Sequence, residues 1–394
     1  MGALDGIRVL DVSQVLAGPF CGQLMADNGA EVIRVESLDG DLCRRFPPDR
    51  GGQSTTFLAV NRGKRGLALN LKTAEGQDVL HRLAKRADIM IQSFLPSRAK
   101  QLGIDYDTIS RLNGDLIHVT ISGYGPTGPL KDKAGLDMMV SAYSGIMGIT
   151  GDPDGSPARP GTPAIDMGTG MIAYGAAMTA LVARGNGKGG QAVNVSLMQT
   201  ALNLLAFNAT HWLVEGQVPV REGSGFMKLA PYGAFDAADG PIIVGAPNEA
   251  GWQRLCAALD RSDLRDDPRF ATNTDRISNR SALDSDIGAI LKSATVAEWI
   301  ERFDAVGAVA APIHSMDQVF AQEQVKATGM IVEAKDRDGS TVNLVGPPFK
   351  LSETPPEPGD APPHLGEHTE TVLREDLDLS EAEIAALREA GAIG

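Results

Sequence analysis

Short apolar runs alternate with amphipathic segments over the first 200 positions. Residues 7–13 (IRVLDVS) are short, rich in branched aliphatics and closed by a polar residue, the pattern of a buried strand. An Ala-Gly-Pro turn is predicted at 17–19, then a short helix over Phe20–Asn28, and 31–36 (EVIRVE) predict the next strand. Such a strand–helix–strand unit packs as a right-handed parallel crossover. Residues 74–87 set Val79, Leu80 and Leu83 on one helical side and charges on the other. Strands follow at 88–92 (DIMIQ) and 115–122 (DLIHVTIS). This alternation predicts an α/β domain with a mostly parallel sheet.

Two helices are expected over 137–148 and 167–184, separated by the loop GDPDGSPARPGTP, with a strand at 191–196 and a helix over 197–214. The pattern then changes. Residues 223–248 read as short strands broken by Gly and Pro, and 249–327 as several helices, which predicts a second domain. A strand at 341–345 and a proline-rich extended run, 347–363, lead to a last helix near Ser380, where Glu383 completes a capping box. So long an extended tail is expected to cross back over the first domain or onto a partner subunit.

At 394 residues the chain exceeds the usual single-domain size, so two domains are expected. Lys and Arg number 36 against 50 Asp and Glu, a net charge of −14, which opposes non-specific nucleic-acid binding. No signal peptide is expected, because the run Ile7–Val12 contains Arg8 and Asp11. The longest helical apolar segment, around Met171–Val182, falls short of the ~20 residues of a membrane helix. Cys21, Cys43 and Cys256 lie far apart without a CxxC pair, which predicts a reducing, cytoplasmic setting and no structural zinc. Of six histidines only His364 and His368 are close, in a loop, and no metal site is expected.

Three stretches could carry chemistry. Asp166 is expected just before a helix whose first turn holds Gly168 and Gly170. Unpaired N–H groups and the dipole at a helix start favour an anion, so a carboxylate there should stay ionised, also at mildly acid pH. Those N–H groups could stabilise an oxyanion, and the glycines could let a substrate approach; an ordinary N-cap is the plain alternative. The basic run Asn61-Arg62-Gly63-Lys64-Arg65 stands either for a phosphate pocket, which Arg98 and Lys100 could extend, or for a solvated turn. Gly223 and Gly225 could form a mobile loop over a site. No GxGxxG after a strand, GxxxxGK[ST] or GxSxG occurs.

Taken in order, these segments resemble the family III CoA-transferases. The matching pieces include Gly6-Ile-Arg-Val-Leu-Asp11, Leu16-Ala-Gly-Pro19, Gly29–Glu36, Gly40-Asp41, Asn61-Arg62 with Lys64-Arg65, and Leu69-Asn-Leu-Lys72. Ala87-Asp-Ile, Leu102-Gly103, Gly123–Pro129, Asp166 and Leu365-Gly-Glu-His368 follow. The resemblance implies a Rossmann-like large domain with a parallel sheet, built from both chain ends, plus a smaller α+β middle domain, in an interlocked homodimer. The corresponding boundaries are 1–200 for the first part of the large domain and 201–225 for a linker helix and glycine loop. The small domain takes 226–327, and a return segment, 328–394, completes the large one.

The resemblance also implies CoA transfer from an acyl-CoA to a carboxylic acid, with Asp166 as nucleophile passing through a mixed anhydride and an aspartyl-CoA thioester. Coenzyme A is then a substrate, and no permanently bound cofactor is expected. Position by position, Leu16, Ala17, Leu69, Lys72, Ser93, Phe94 and Leu95 would line the CoA site, with Lys133, Ala134 and Gly135 on its far side. Lys72 and Lys133 would hold phosphates. Gly223-Ser224-Gly225 would cover the intermediate. Gln101 stands where some members carry a CoA-contacting Arg, so Arg98 is assigned in its place, and Leu16 in place of a Gln argues against oxalate. The alternatives are an α-methylacyl-CoA racemase of the same fold and a non-catalytic acyl-CoA-binding protein. Racemases of this type use a Gly-His-Asp segment, here Gly135-Leu136-Asp137, and leucine cannot exchange a proton.

Overall fold

The computed structural model describes residues 2–50 and 52–394. Its elements begin with β1 (Arg8–Asp11), α1 (Ala17–Asp27), β2 (Glu31–Glu36), β3 (Arg65–Ala68), α2 (Ala74–Ala84), β4 (Ile89–Gln92) and α3 (Pro96–Gln101). They continue with β5 (Ile117–Ser122), α4 (Asp137–Tyr143), α5 (Ala164–Ala183) and β6 (Ala192–Ser196). The six strands form one sheet in the order β3-β2-β1-β4-β5-β6, and every neighbouring pair is parallel. This is the doubly wound Rossmann order, whose direction reverses between β1 and β4. Both faces of the sheet are covered: Leu10, Ile33, Leu67 and Met90 belong to one core, Val9, Val32, Ile89 and Ile91 to the other.

Two departures from the sequence expectation have local causes. Helix α1 begins at Ala17, so Ala-Gly-Pro is its first turn and not a separate turn; proline is tolerated there because its missing N–H has no intrahelical partner. Strand β3, which begins at the last residue of the basic run, is not among the expected strands. It lies at the sheet edge, where the return segment covers it: His368 donates its N–H to Gly66 O (2.9 Å), and Gly66 and Ala68 donate to His368 Nδ1 (3.0 Å) and Thr369 Oγ1 (3.1 Å). The extended run ahead of His368 also returns over the first domain, where Glu357 donates its N–H to Asp27 O (2.7 Å) and Asp360 O accepts from Gly63 N (2.9 Å).

Helix α5 and the turn after it, Ala164–Lys188, are together long and apolar enough to cross a bilayer by length and composition, more than the segment singled out from sequence. In this fold one stripe of it (Thr169, Gly170, Ala173, Ala177, Ala180) is buried against α1 and the sheet.

The chain divides into two compact units. The first comprises residues 1–146, 160–217 and 326–394, so both chain ends contribute to it, although all six sheet strands come from the first 200 residues. The second comprises 147–159 and 218–325. It holds a three-stranded antiparallel sheet (Tyr232–Asp236, Pro241–Gly245, Val309–Pro312) against helices whose core includes Trp252, Phe270, Trp299 and Phe303. Segment 147–159, expected within the large domain, joins the second unit. Gly223 donates its N–H to Gly151 O (3.0 Å), and Arg221 Nε reaches Asp152 O (3.1 Å).

Candidate active site

A cavity of about 330 Å³ opens at the carboxyl ends of β1, β4 and β5. Crevices at this reversal point are where open α/β sheets bind ligands. Its lining includes Gln14, Val15, Leu16, Ala17 and Gly18 from the β1–α1 turn, Ser93, Phe94, Leu95 and Arg98 after β4, and Ala134, Gly135 and Leu136 before α4. Asp166 stands in the same wall. The loops after β5 and before α4 meet backbone to backbone: a Cβ on Gly123 would lie 2.7 Å from Gly135 Cα, so only glycine permits this wall. A second cavity of about 230 Å³ shares Gln14, Phe94 and Arg98 with the first and reaches Asp39, Gly40, Asp41, Leu69 and Lys72. The sequence-derived CoA residues therefore converge, except Lys133. Its Nζ sits 5.9 Å from the Tyr124 ring centroid, and it lines neither cavity. Gly223, Ser224 and Gly225 belong to the second unit, where Ser224 Oγ accepts from Ala234 N (3.0 Å).

Asp166 lies inside the first turn of α5, as its third residue, and not ahead of it. The N–H groups of that turn are all engaged. Ile165 and Asp166 donate to Asp137 Oδ2 at 3.0 and 3.1 Å, and Ala164 and Met167 donate to Thr162 O and Pro163 O. The expected oxyanion donors at this helix end are thus taken by a second carboxylate. Burial, and then the Asp137 charge, push the Asp166 carboxyl up to about 7, so the helix end does not keep it ionised under acid conditions. The glycines serve packing: a Cβ on Gly170 would stand 2.7 Å from Ala17 O, and one on Gly168 would stand 3.3 Å from a Thr200 methyl. Asp137 is the functional neighbour that the sequence does not reveal, because its contact with the start of α5 spans 28 and 29 residues along the chain.

The basic run makes neither a phosphate pocket nor a solvated turn. Arg62 forks onto Asp27 at 2.8 and 2.6 Å, and Lys64 Nζ bonds Asp11 Oδ2 (2.9 Å), Pro19 O, Val60 O and Asn61 Oδ1. Arg65 pairs with Glu31 and Asp376. Burial draws the Lys64 ammonium down to about 8. Burial alone would raise Asp11, but Arg34 and Lys64 hold its carboxyl down at about 2. Such buried charges persist because each is paired and hydrogen-bonded. The cation left for a ligand at the junction of the two cavities is Arg98, which Gln101 steadies by accepting from its Nη1 (3.1 Å). Lys72 is exposed at the rim of the second cavity.

His364 and His368 are tied into the fold by Gln53 (3.1 Å) and the Gly66 N–H, and no metal-binding group occurs among the described residues.

A doubly wound sheet with an acid-bearing crevice and an adjoining cavity places the chain in the ligand-binding α/β class. The profile of CoA-transferase family III matches residues 4–369. An acyl-CoA transferase of Fusarium pseudograminearum is 37% identical over 404 residues, covering 100% of this chain and 88% of that protein. The succinyl-CoA:glutarate CoA-transferase of Mus musculus is 35% identical over 400 residues, covering 100% and 91%. Among solved structures, a CAIB/BAIF family protein from Brucella suis superposes with a TM-score of 0.87 at 33% identity, covering 95% of this chain and 99% of that one. The chain belongs to CoA-transferase family III, whose chemistry is acyl-CoA:carboxylate CoA transfer.

Proposed function

We propose that Asp166 is the nucleophile of this transfer and that the two adjoining cavities receive the CoA thioester. The observation that carries the proposal is the placement of the Asp166 carboxyl in the wall of a cavity that runs on past Arg98. In the first step a carboxylate oxygen of Asp166 attacks the thioester carbon. The C–S bond breaks, CoA leaves as thiolate, and the acyl group stays on Asp166 as a mixed anhydride. The thiolate then attacks the aspartyl carbonyl and expels the donor acid, leaving an aspartyl-CoA thioester. The acceptor carboxylate repeats both steps in reverse and regenerates the Asp166 carboxylate. Acyl activation is held as anhydride or thioester throughout, so the site must exclude water. A desolvated carboxylate with a raised pKa is the more basic and the better nucleophile when ionised. Because the start of α5 is occupied by Asp137, developing negative charge is assigned to the start of α1, whose Ala17 and Gly18 line the same cavity.

The succinate and glutarate of the mouse relative's name are the first donor and acceptor acids to test. Incubation with succinyl-CoA followed by hydroxylamine or borohydride should modify the peptide carrying Asp166, as seen by mass spectrometry. Full transfer activity in Asp166→Ala would end the proposal. Racemisation lacks its second base, because Leu136 stands in the cavity wall where the proton carrier would be needed.

A homodimer is part of the same proposal. Helix 206–215 buries none of its residues, and Trp212, Leu213 and Val214 are at least half exposed, as is Val182 of α5. An apolar face of this kind needs a cover, and the interlocked dimer of the resemblance supplies a second copy. Three buried, unpaired cysteines suit a reducing, cytoplasmic setting.

A further inference from the structure

Val15 has φ of 65°, a left-handed conformation that a β-branched residue adopts only under constraint. It lies in the β1–α1 turn, and with Gln14 and Leu16 it lines the cavity that holds Asp166. Such a conformation persists only where the surroundings over-determine it, and here three consecutive residues are held from outside the turn. Ser13 O accepts from Arg34 Nη1 at 2.5 Å. Gln14 donates its N–H to Ser93 Oγ at 2.9 Å, which ties the turn to the end of β4. Val15 donates its N–H to Asp41 Oδ2 at 3.0 Å. That same Asp41 oxygen takes Arg34 Nη2 at 2.5 Å, while its other oxygen accepts from Cys43 N at 2.9 Å. Both side chains of the Arg34–Asp41 pair are buried, and Arg34 is anchored a second time by Asp11 Oδ1 at 3.0 Å.

We propose that Asp41, fixed by Arg34, is a positioning residue: it holds Val15 in the left-handed conformation, and that backbone course sets the affinity of the cavity for coenzyme A. Asp41 also lines the second cavity, but the effect proposed here runs through Val15, by shaping the wall beside Asp166. The inference rests on the proposed function for the identity of the ligand. It adds that the buried ion pair beneath the turn acts on binding, and not on stability alone.

Glycine supplies the test, because it enters the left-handed region without the Cβ penalty. CoA affinity is measured by calorimetry on the full chain for the natural protein, Asp41→Asn, Val15→Gly and the double variant, each checked for folding by circular dichroism and Tm. Asn at 41 cannot accept from both Arg34 and Val15 through one oxygen and still hold the Cys43 N–H. Asp41→Asn is expected to weaken CoA about tenfold, the scale of one left-handed residue released from constraint. In the Val15→Gly background the same exchange is expected to change the Kd by less than about twofold. A purely structural role predicts the same loss in both backgrounds, and that result, or a folded Asp41→Asn that binds CoA normally, overturns the inference. If the natural protein does not bind CoA, the proposed function falls and takes this inference with it; normal binding with an indifferent Asp41→Asn removes this inference alone. Should Asp41→Asn not fold, amide exchange at Val15 in the natural protein decides: slow exchange is expected, and exchange as fast as an open loop overturns the proposal.

Discussion

One oxygen of Asp137 accepts the backbone N–H of Asp166 at 3.1 Å together with that of Ile165, so the residue that caps α5 also lays a negative charge beside the acid of the cavity. Capping and pKa raising are one interaction here. The turn keeps its geometry because a carboxylate satisfies its N–H groups, and the neighbouring carboxyl is harder to ionise for the same reason.

The pH dependence of transfer follows. Attack requires the carboxylate form, and the Asp166 carboxyl stands at about 7, so kcat/KM should fall below neutrality with a midpoint near that value. Asp137→Asn should move the midpoint toward acid, though not to an ordinary carboxylate value, since burial is the larger cause. Rates from pH 5 to 9 with both proteins check this. A midpoint near 4 in the natural enzyme would contradict it.

Stability carries the same signature with a definite sign. The folded carboxyl is raised above its unfolded value, so the unfolded chain ionises first as pH rises. The cost is absent below about pH 4 and complete above about 7. Asp166→Asn should therefore raise stability by on the order of 2 to 4 kcal/mol at pH 8 and leave it nearly unchanged at pH 4. Denaturant midpoints at the two pH values decide the matter.

Lys64 should behave as a structural cation. Lys64→Met takes away one of the two cations paired with the buried Asp11, leaving Arg34, and should cost about 3 to 5 kcal/mol in an unfolding titration. The salt dependence of CoA affinity should be unaltered, because no phosphate contact is lost. A phosphate-binding lysine would give the opposite pair of results.

Arg98 is the converse case. Arg98→Ala removes the cation at the junction of the two cavities and should raise the Kd for CoA about tenfold, the worth of one charge-assisted hydrogen bond. Its salt dependence should flatten, and Tm should move by no more than a few degrees, since Arg98 bonds the exposed Gln101. Unchanged CoA binding would remove Arg98 from the site.

Much of this protein was legible in one dimension. The parallel α/β class, strands β1, β2, β4 and β5, and the capping box at Ser380 follow from local rules: side-chain period, β-branching and an Asx- or Ser-type cap three residues before an acid. Asp166 was singled out as nucleophile through the family resemblance, since by position alone an Asp at a helix start reads as an ordinary cap. Strand β3 was not legible, since an edge strand made of Arg-Gly-Leu-Ala is stabilised by the returning tail and not by its own pattern.

What the amino-acid order decided by itself was where chain segments prefer strand or helix and which residue types were on hand for chemistry. Tertiary structure alone decided the charge states. Lys64 and Arg62 read as free cations until Asp11 and Asp27 are brought to them from 53 and 35 residues away, and Asp166 reads as a stabilised anion until Asp137 takes the N–H groups of its helix. Desolvation and charge pairing depend on distances through space, and those are set by contacts between segments remote along the chain.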